Sequence, residues 1–130
     1  MFSVGEASGD LHAAVLAAAL KRLRPDLHLV GIGGDRMKAA GVELVEHAER
    51  LAVMGFVEVL RHIPKHAALL RKMTARLQSG SVGLLIVVDY PGFNMKLARA
   101  ATDAGVPVLY YITPQVWAWG ADRLAKPRGV

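Results

Sequence analysis

The chain contains no cysteine, no uninterrupted membrane-spanning run and no recognisable signal segment. Without cysteine it cannot form a disulfide scaffold, a thiolate zinc site or a cysteine nucleophile, and a reducing compartment is its expected home. The longest uncharged stretch, residues 104–121, is interrupted by Pro107 and Pro114, so it cannot form a spanning helix. Residues 1–4 offer no basic segment followed by an apolar run, and we therefore expect no secretory signal.

The composition is that of an ordinary globular domain. Of 130 residues, 53% are apolar and 21% are charged. A domain of this size buries roughly two thirds of the surface of its unfolded chain. No internal repeat, low-complexity tract or linker divides the sequence, so residues 1–130 are predicted to form one domain.

The positive charge is concentrated in one segment. Lys and Arg number 16 against 11 Asp and Glu. Residues 59–88 contain no acid but five of the cations, namely Arg61, Lys65, Arg71, Lys72 and Arg76. This surplus indicates either a phosphate-rich or anionic-lipid partner or a basic helix face in contact with water.

Strand and helix patterns alternate along the chain. The predicted strands are residues 2–4, 27–32, 42–45, 82–88 and 106–112. The predicted helices are residues 11–23, residues 36–40 capped by Asp35, two pieces within 51–77 separated at Pro64, and residues 94–104. This order predicts an α/β fold, a Rossmann-like parallel sheet with helices on both faces.

Ligands of such sheets bind at the carboxyl ends of the strands. Four segments are expected at that edge, residues 5–10, 31–35, 89–94 and 113–119. The first lacks the spacing of a dinucleotide fingerprint and the lysine of a Walker loop, so it is not a standard cofactor loop, which disfavours a dinucleotide-dependent enzyme. Gly5 and Gly9 would admit a ligand close to the backbone, and Ser8 could hold a phosphate or a sugar hydroxyl. The alternative is that Ser8 or Asp10 simply caps the helix that follows.

Asp89 is the sharper candidate, because it directly follows five consecutive Leu, Ile and Val residues. A half-desolvated carboxylate at the exit of a buried strand is suited to remove a proton from an attacking hydroxyl. The alternative is an Asx turn or a cap that begins the next helix.

Two further segments carry exposed or aromatic apolar groups. Trp117 and Trp119 could pack on a sugar ring or an acyl chain, or could fill the core.

A stripe typical of ordinary core follows Pro64, formed by Leu69, Leu70, Met73 and Leu77. The piece before Pro64 has apolar residues on nearly every side, Phe56, Val57, Val59, Leu60 and Ile63. Beside the basic residues they indicate a membrane contact or, alternatively, a subunit or interdomain interface.

Four motifs in order resemble the N-terminal half of the lipid-A-disaccharide synthases. They are Gly-Glu-Ala-Ser-Gly-Asp at 5–10, Leu-Ala-Val-Met-Gly-Phe-Val-Glu-Val-Leu at 51–60, Asp-Tyr-Pro-Gly-Phe-Asn at 89–94 and Pro-Gln-Val-Trp-Ala-Trp at 114–119. Gly120 departs from the family pattern, which usually has arginine there. The resemblance implies an inverting glycosyltransferase of the two-domain GT-B architecture. Its substrates would be UDP-2,3-diacylglucosamine and 2,3-diacylglucosamine 1-phosphate, and UDP would be released.

The resemblance also implies roles for individual residues. Asp89 matches the essential aspartate, the candidate base. We assign the sugar-binding role to Glu6, Ser8, Gly9, Asn94, Gln115 and Trp117. The membrane-facing residues would be Met54, Phe56, Val57, Val59, Leu60, Arg61, Ile63 and Lys65.

Several expectations about partners follow from this resemblance. No cofactor and no nucleic acid are expected. The residues themselves predict no metal site, since the acidic residues are scattered and the histidines lack ligand spacing. The protein would act in the cytoplasm, peripherally on the anionic inner membrane, and could form a homodimer. The C-terminal nucleotide-binding domain is absent from these residues, so the piece alone is expected to be inactive. The alternative function is a non-catalytic α/β module that binds a ligand or a partner protein.

Overall fold

A computed structural model describes residues 1–50 and 56–112 of the chain, with the backbone alone for residues 56–63 and 112. Five strands form one parallel sheet in the order β3-β2-β1-β4-β5. They are β1 (Phe2–Val4), β2 (Val30–Gly33), β3 (Glu43–His47), β4 (Leu85–Val88) and β5 (Val108–Ile112). The predicted α/β class, with a Rossmann-like parallel sheet, is confirmed.

Helices cover both faces of the sheet. They are α1 (Ala7–Leu23), α2 (Asp35–Ala39), a short 3-10 helix (Ala48–Arg50), α3 (Phe56–Gln78) and α4 (Pro91–Asp103). One apolar cluster joins α1 and α2 to the sheet through Ala13, Ala17 and Met37. A second cluster joins α3 and α4 to the other face and contains the predicted stripe residues Leu69, Met73 and Leu77. Parallel strands need such crossovers, and helices supply them.

Three helices begin earlier than the sequence predicts, α2 by the single residue Asp35. Helix α1 starts at Ala7, so residues 7–10 form its first turn rather than a loop. Helix α4 starts at Pro91, where the missing N–H of proline costs nothing because the first amides of a helix have no partner. Four strands begin later than predicted, at Val30, Glu43, Leu85 and Val108, because pairing starts only where a neighbouring strand offers a partner.

Pro64 does not divide the segment before β4 into two helices, as we predicted from the sequence. One helix, α3, runs through it, with Pro64 exposed. A proline inside a helix removes one hydrogen bond and costs about 3 kcal/mol. Burial of Leu69, Met73 and Leu77 against the sheet offsets that cost.

No helix in the described ranges is long and apolar enough to cross a bilayer.

Candidate functional site

A crevice of about 670 Å³ opens at the carboxyl edge of β1, β2, β3 and β4. It is lined by Gly5, Glu6, Ala7, Asp10, Gly34, Asp35, Arg36, His47, Ala48, Glu49 and Tyr90. Every lining residue ends a strand, follows one or belongs to the first turn of the helix behind it. The loops predicted to meet at this edge therefore do meet, as far as the described residues extend.

The charged residues of the lining are mostly acidic. Four lining residues carry a carboxylate, Glu6, Asp10, Asp35 and Glu49, and one carries a guanidinium, Arg36. His47 Nε2 lies 2.9 Å from the exposed carboxylate of Asp35. Carboxylates and imidazoles exchange hydrogen bonds readily with sugar hydroxyls, whereas an acidic lining disfavours a phosphate.

Asp10 caps a neighbouring helix instead of its own. Its side chain is 6% exposed and accepts hydrogen bonds from the backbone amides of Gly34 (2.9 Å), Arg36 (3.1 Å) and Met37 (3.0 Å). The prediction that Asp35 caps this helix is wrong, because Asp35 is its first residue and pairs with His47. The carboxylate of Asp10 thus satisfies the free amides at the start of α2 and joins the first two βα units.

The alternative that Ser8 or Asp10 caps α1 is not realised. The cap position is Glu6, which makes no capping hydrogen bond with its side chain. Ser8 is exposed and lies outside the crevice lining. Gly9 is buried, and a Cβ on it would press against Val4 and Val88. Of the three sugar-binding candidates in this segment, the structure therefore places only Glu6 in the crevice.

Asp89 lies beside Gly5 at the end of the crevice. Val4 pairs with Val88, so Gly5 and Asp89 continue two neighbouring strands. Asp89 and Tyr90 both adopt left-handed backbone conformations, with φ of 49° and 50°. The ring of Tyr90 covers Gly5 so closely that any Cβ there would overlap it. The cap position of α4 belongs to Tyr90 and uses no side-chain hydrogen bond, so Asp89 is not the helix cap that we considered from the sequence.

Tyr90 lines the crevice, whereas Asp89 is half-buried next to that lining. The Tyr90 hydroxyl lies 3.4 Å from His66 Nε2 on α3, and its ring stacks on Phe93 at 5.7 Å between centroids. Burial, reinforced by the nearby Glu6 carboxylate, raises the pKa of Tyr90. Tyr90 therefore keeps its proton at neutral pH and can donate a hydrogen bond.

Asn94 does not reach the crevice, contrary to its predicted contact with a sugar. It is 1% exposed, and its amide is used by the protein itself. Nδ2 donates to the carbonyl oxygens of Ser3 at 3.0 Å, Val88 at 3.4 Å and Asp89 at 2.7 Å. Oδ1 accepts a hydrogen bond from the Ser3 hydroxyl. The sequence could not reveal this, because Ser3 lies 91 residues away.

The remaining predicted site residues lie largely outside the described part of the chain. Gln115, Trp117, Trp119 and Met54 fall in undescribed residues. The positions of Phe56, Val57, Val59, Leu60, Arg61 and Ile63 are helical, but their side chains lie outside what the structure describes. Lys65 is exposed on α3.

Sequence reasoning missed one group of lining residues, His47, Ala48 and Glu49. His47 ends β3, and Ala48 and Glu49 directly follow it, so the carboxyl-edge rule that selected the other loops would have found them. Among the described residues, no three His, Asp or Glu side chains are grouped as metal ligands.

Comparison with known proteins agrees with this architecture. The family model described as lipid-A-disaccharide synthetase matches residues 1–128. The lipid-A-disaccharide synthase of Geobacter sulfurreducens is 50% identical over 124 residues, 95% of this chain and 32% of that protein. That of Nitrosococcus oceani is 50% identical over 120 residues, 92% and 31% of the two chains. That of Coxiella burnetii is 44% identical over 122 residues, 94% and 32%.

The chain spans about a third of the length of these curated relatives. Because the family model matches nearly all of it, the chain belongs to the lipid-A-disaccharide synthetase family.

Proposed function

We propose that this chain is the acceptor-side part of an inverting glycosyltransferase. The complete enzyme transfers diacylglucosamine from UDP-2,3-diacylglucosamine to 2,3-diacylglucosamine 1-phosphate. The observation that carries the proposal is the left-handed turn of Asp89 and Tyr90 beside Gly5, at the end of an acidic crevice. Strained turns of non-glycine residues concentrate at functional sites.

In this reaction Asp89 is the base. The oxygen of the acceptor hydroxyl attacks the anomeric carbon of the donor sugar, and a glycosidic bond forms. The bond between that carbon and the phosphate oxygen of UDP breaks, and UDP leaves with the electron pair. The proton of the hydroxyl passes to the carboxylate of Asp89, and a single displacement inverts the anomeric configuration.

The crevice suits the uncharged part of a sugar. Glu6 and Glu49 can accept hydrogen bonds from hydroxyl groups, and the protonated Tyr90 can donate one. Contacts to the nucleotide are left to the part of the enzyme that follows these residues. The 130 residues alone should therefore not turn over substrate, and turnover by the isolated chain would contradict this part of the proposal.

The test uses a chimaera in which this chain replaces the matching 124-residue segment of the Geobacter sulfurreducens synthase. The parent chimaera should form disaccharide from the two substrates. Asp89→Asn should lower kcat by about 100-fold to 10,000-fold, because it removes the base while asparagine tolerates the left-handed backbone. A folded parent chimaera without activity would favour the binding-module alternative, and undiminished turnover by Asp89→Asn would reject Asp89 as the base.

We also propose that α3 faces an anionic membrane surface, the cytoplasmic face of the bacterial inner membrane. Lys65, Arg71 and Lys72 are exposed, and no carboxylate of the described residues pairs with them. Lys65 and Lys72 are seven residues apart and so share one side of the helix. Cations arranged in this way bind anionic headgroups electrostatically. A homodimer of the complete protein remains an expectation from the family resemblance.

Vesicle sedimentation tests the membrane proposal. The chain should bind vesicles that contain anionic phospholipid, and binding should weaken in high salt because screening shortens electrostatic attraction. The double variant Lys65→Gln/Lys72→Gln should bind more weakly. The control Arg22→Gln/Lys38→Gln removes two exposed cations from α1 and α2, on the opposite face of the sheet. Equal binding by the two double variants would contradict the proposal.

A further inference from the structure

The turn after β4 contains two consecutive non-glycine residues in the left-handed region, Asp89 and Tyr90. Such residues usually occur singly, because the Cβ atom crowds the neighbouring carbonyl oxygen. A pair of them persists only where surrounding contacts hold the backbone in place. The contacts around this turn therefore determine where the Asp89 carboxylate lies.

The strongest of these contacts comes from Asn94, on the first turn of α4. Its Nδ2 donates to the Asp89 carbonyl oxygen at 2.7 Å and also to the carbonyl oxygens of Ser3 and Val88. The Ser3 hydroxyl donates to Oδ1 and thereby fixes which end of the amide faces the turn. One buried side chain thus ties the end of β4, the turn and β1 together.

Tyr90 gives the turn a second support. Its ring covers Gly5, stacks on Phe93 and meets His66 edge-on, with 6.3 Å between the ring centroids. These contacts fix the outer half of the turn, whereas Asn94 fixes the carbonyl of Asp89 itself. Loss of the Asn94 amide would therefore free the residue that carries the carboxylate while leaving the aromatic packing intact.

We propose that Asn94 is a positioning residue that holds the left-handed turn and so aims the Asp89 carboxylate at the crevice. This assignment rests on the proposed function, in which Asp89 is the base. Asn94 touches no substrate, and Ser3 assists it by orienting its amide. Relaxation of the turn toward the right-handed region would carry the carboxylate away from the acceptor hydroxyl.

The activity test uses the same chimaera with Asn94→Leu, which keeps the side-chain shape and removes the amide. We expect kcat to fall by about 100-fold with KM within about twofold, since displacement of a catalytic group by about 1 Å costs this much. Ser3→Ala is the milder second variant and should lower kcat in the same direction. The matched control is Thr102→Val, which removes a side-chain-to-backbone hydrogen bond from the same helix far from the turn, and it should leave kcat unchanged.

A double-mutant cycle separates positioning from general stability. In the Asp89→Asn background, Asn94→Leu should cause no further fall in the residual kcat, because Asn94 acts only through Asp89. A merely structural role would lower kcat in both backgrounds. An equal fall in both backgrounds, or kcat within about twofold of the parent for Asn94→Leu, would overturn the inference while leaving the proposed function in place.

Hydrogen exchange supplies a readout that needs no activity. The amide of residue 94 donates to the Tyr90 carbonyl oxygen at 2.9 Å, which reports on the turn directly. Ser3→Ala should speed its exchange by about tenfold and leave the buried amides of Leu97 and Ala101 unchanged. An inactive parent chimaera would refute the proposed function. Unchanged exchange in Ser3→Ala would refute the inference that Asn94 holds the turn.

Discussion

Replacement of Asp89 by glycine should stabilise the fold relative to replacement by alanine. Both substitutions remove the carboxylate, and they differ only in how well the new residue tolerates the backbone at φ 49°. Glycine adopts this conformation without a steric cost, whereas alanine brings its Cβ close to the carbonyl oxygen. The comparison therefore isolates the strain of the turn from the loss of the side chain.

The expected difference is about 1 kcal/mol. The left-handed conformation costs an ordinary residue about 1–2 kcal/mol. Glycine recovers this cost but loses more backbone entropy on folding, which reduces the advantage by about 0.5–1 kcal/mol. Asp89→Asn should leave stability close to that of the parent, because asparagine visits the left-handed region more readily than other side-chain-bearing residues.

Urea denaturation followed by far-UV circular dichroism measures the difference as a shift in midpoint. The control is Lys96, which is exposed within α4 and has ordinary helical backbone. There the order should reverse, with alanine more stable than glycine by about 1 kcal/mol. If alanine at position 89 is as stable as glycine, or more stable, then the turn is not strained and the argument for a held carboxylate fails.

Three further predictions concern the same edge of the sheet. Asp10→Ala should lower the unfolding free energy by about 2–4 kcal/mol in urea denaturation, because three backbone amides, two of them in buried hydrogen bonds, lose a charged acceptor; an unchanged midpoint would contradict this. Gly5→Ala should cost about 1–3 kcal/mol through overlap with the Tyr90 ring, and Tyr90→Ala should remove most of that cost in the double variant. Burial and Glu6 raise the pKa of Tyr90, so its stabilising effect is complete below pH 10 and is lost above it. Urea titrations at rising alkaline pH should therefore show a steeper loss of stability in the parent than in Tyr90→Phe.

The fold was largely predictable because its signals are local. The run of apolar residues before Asp89 is typical of a strand covered on both faces, and β4 is an interior strand, between β1 and β5. The residue at which α1 begins was harder to predict from the sequence. Its first turn contains Gly9, which sequence rules treat as a turn residue, but Gly9 packs tightly on Val4 and on Val88, and Val88 is distant in sequence. The prediction that Pro64 divides α3 failed for a similar reason. The burial of Leu69, Met73 and Leu77 against the sheet outweighs the local tendency of proline to end a helix.

The candidate site was predictable as a place but not as a set of contacts. The carboxyl-edge rule brought Glu6 and Asp89 to neighbouring strand ends without any knowledge of side chains. The role of Asp10 depends on hydrogen bonds to residues that lie 24 to 27 positions away in sequence. The role of Asn94 depends on hydrogen bonds to Ser3, which is 91 positions away. Neither residue spacing nor conformational propensity reveals such partners. From the sequence alone, the capping Asp10 and the positioning Asn94 therefore could not be distinguished from residues that bind a ligand.

The three hydrogen bonds between the Asp10 carboxylate and the amides at the start of α2 bear on how a substrate can lie in the crevice. In related folds the amides at the beginning of a helix often receive a phosphate, but here they are already filled by a carboxylate from within the chain. A phosphate group that approached the start of α2 would meet the negative carboxylate of Asp10, which already accepts the hydrogen bonds of these amides. If the proposed function holds, the phosphate-bearing ends of the two proposed substrates should point away from β2 and β3, with the hydroxyl-rich face of one sugar turned toward these strands.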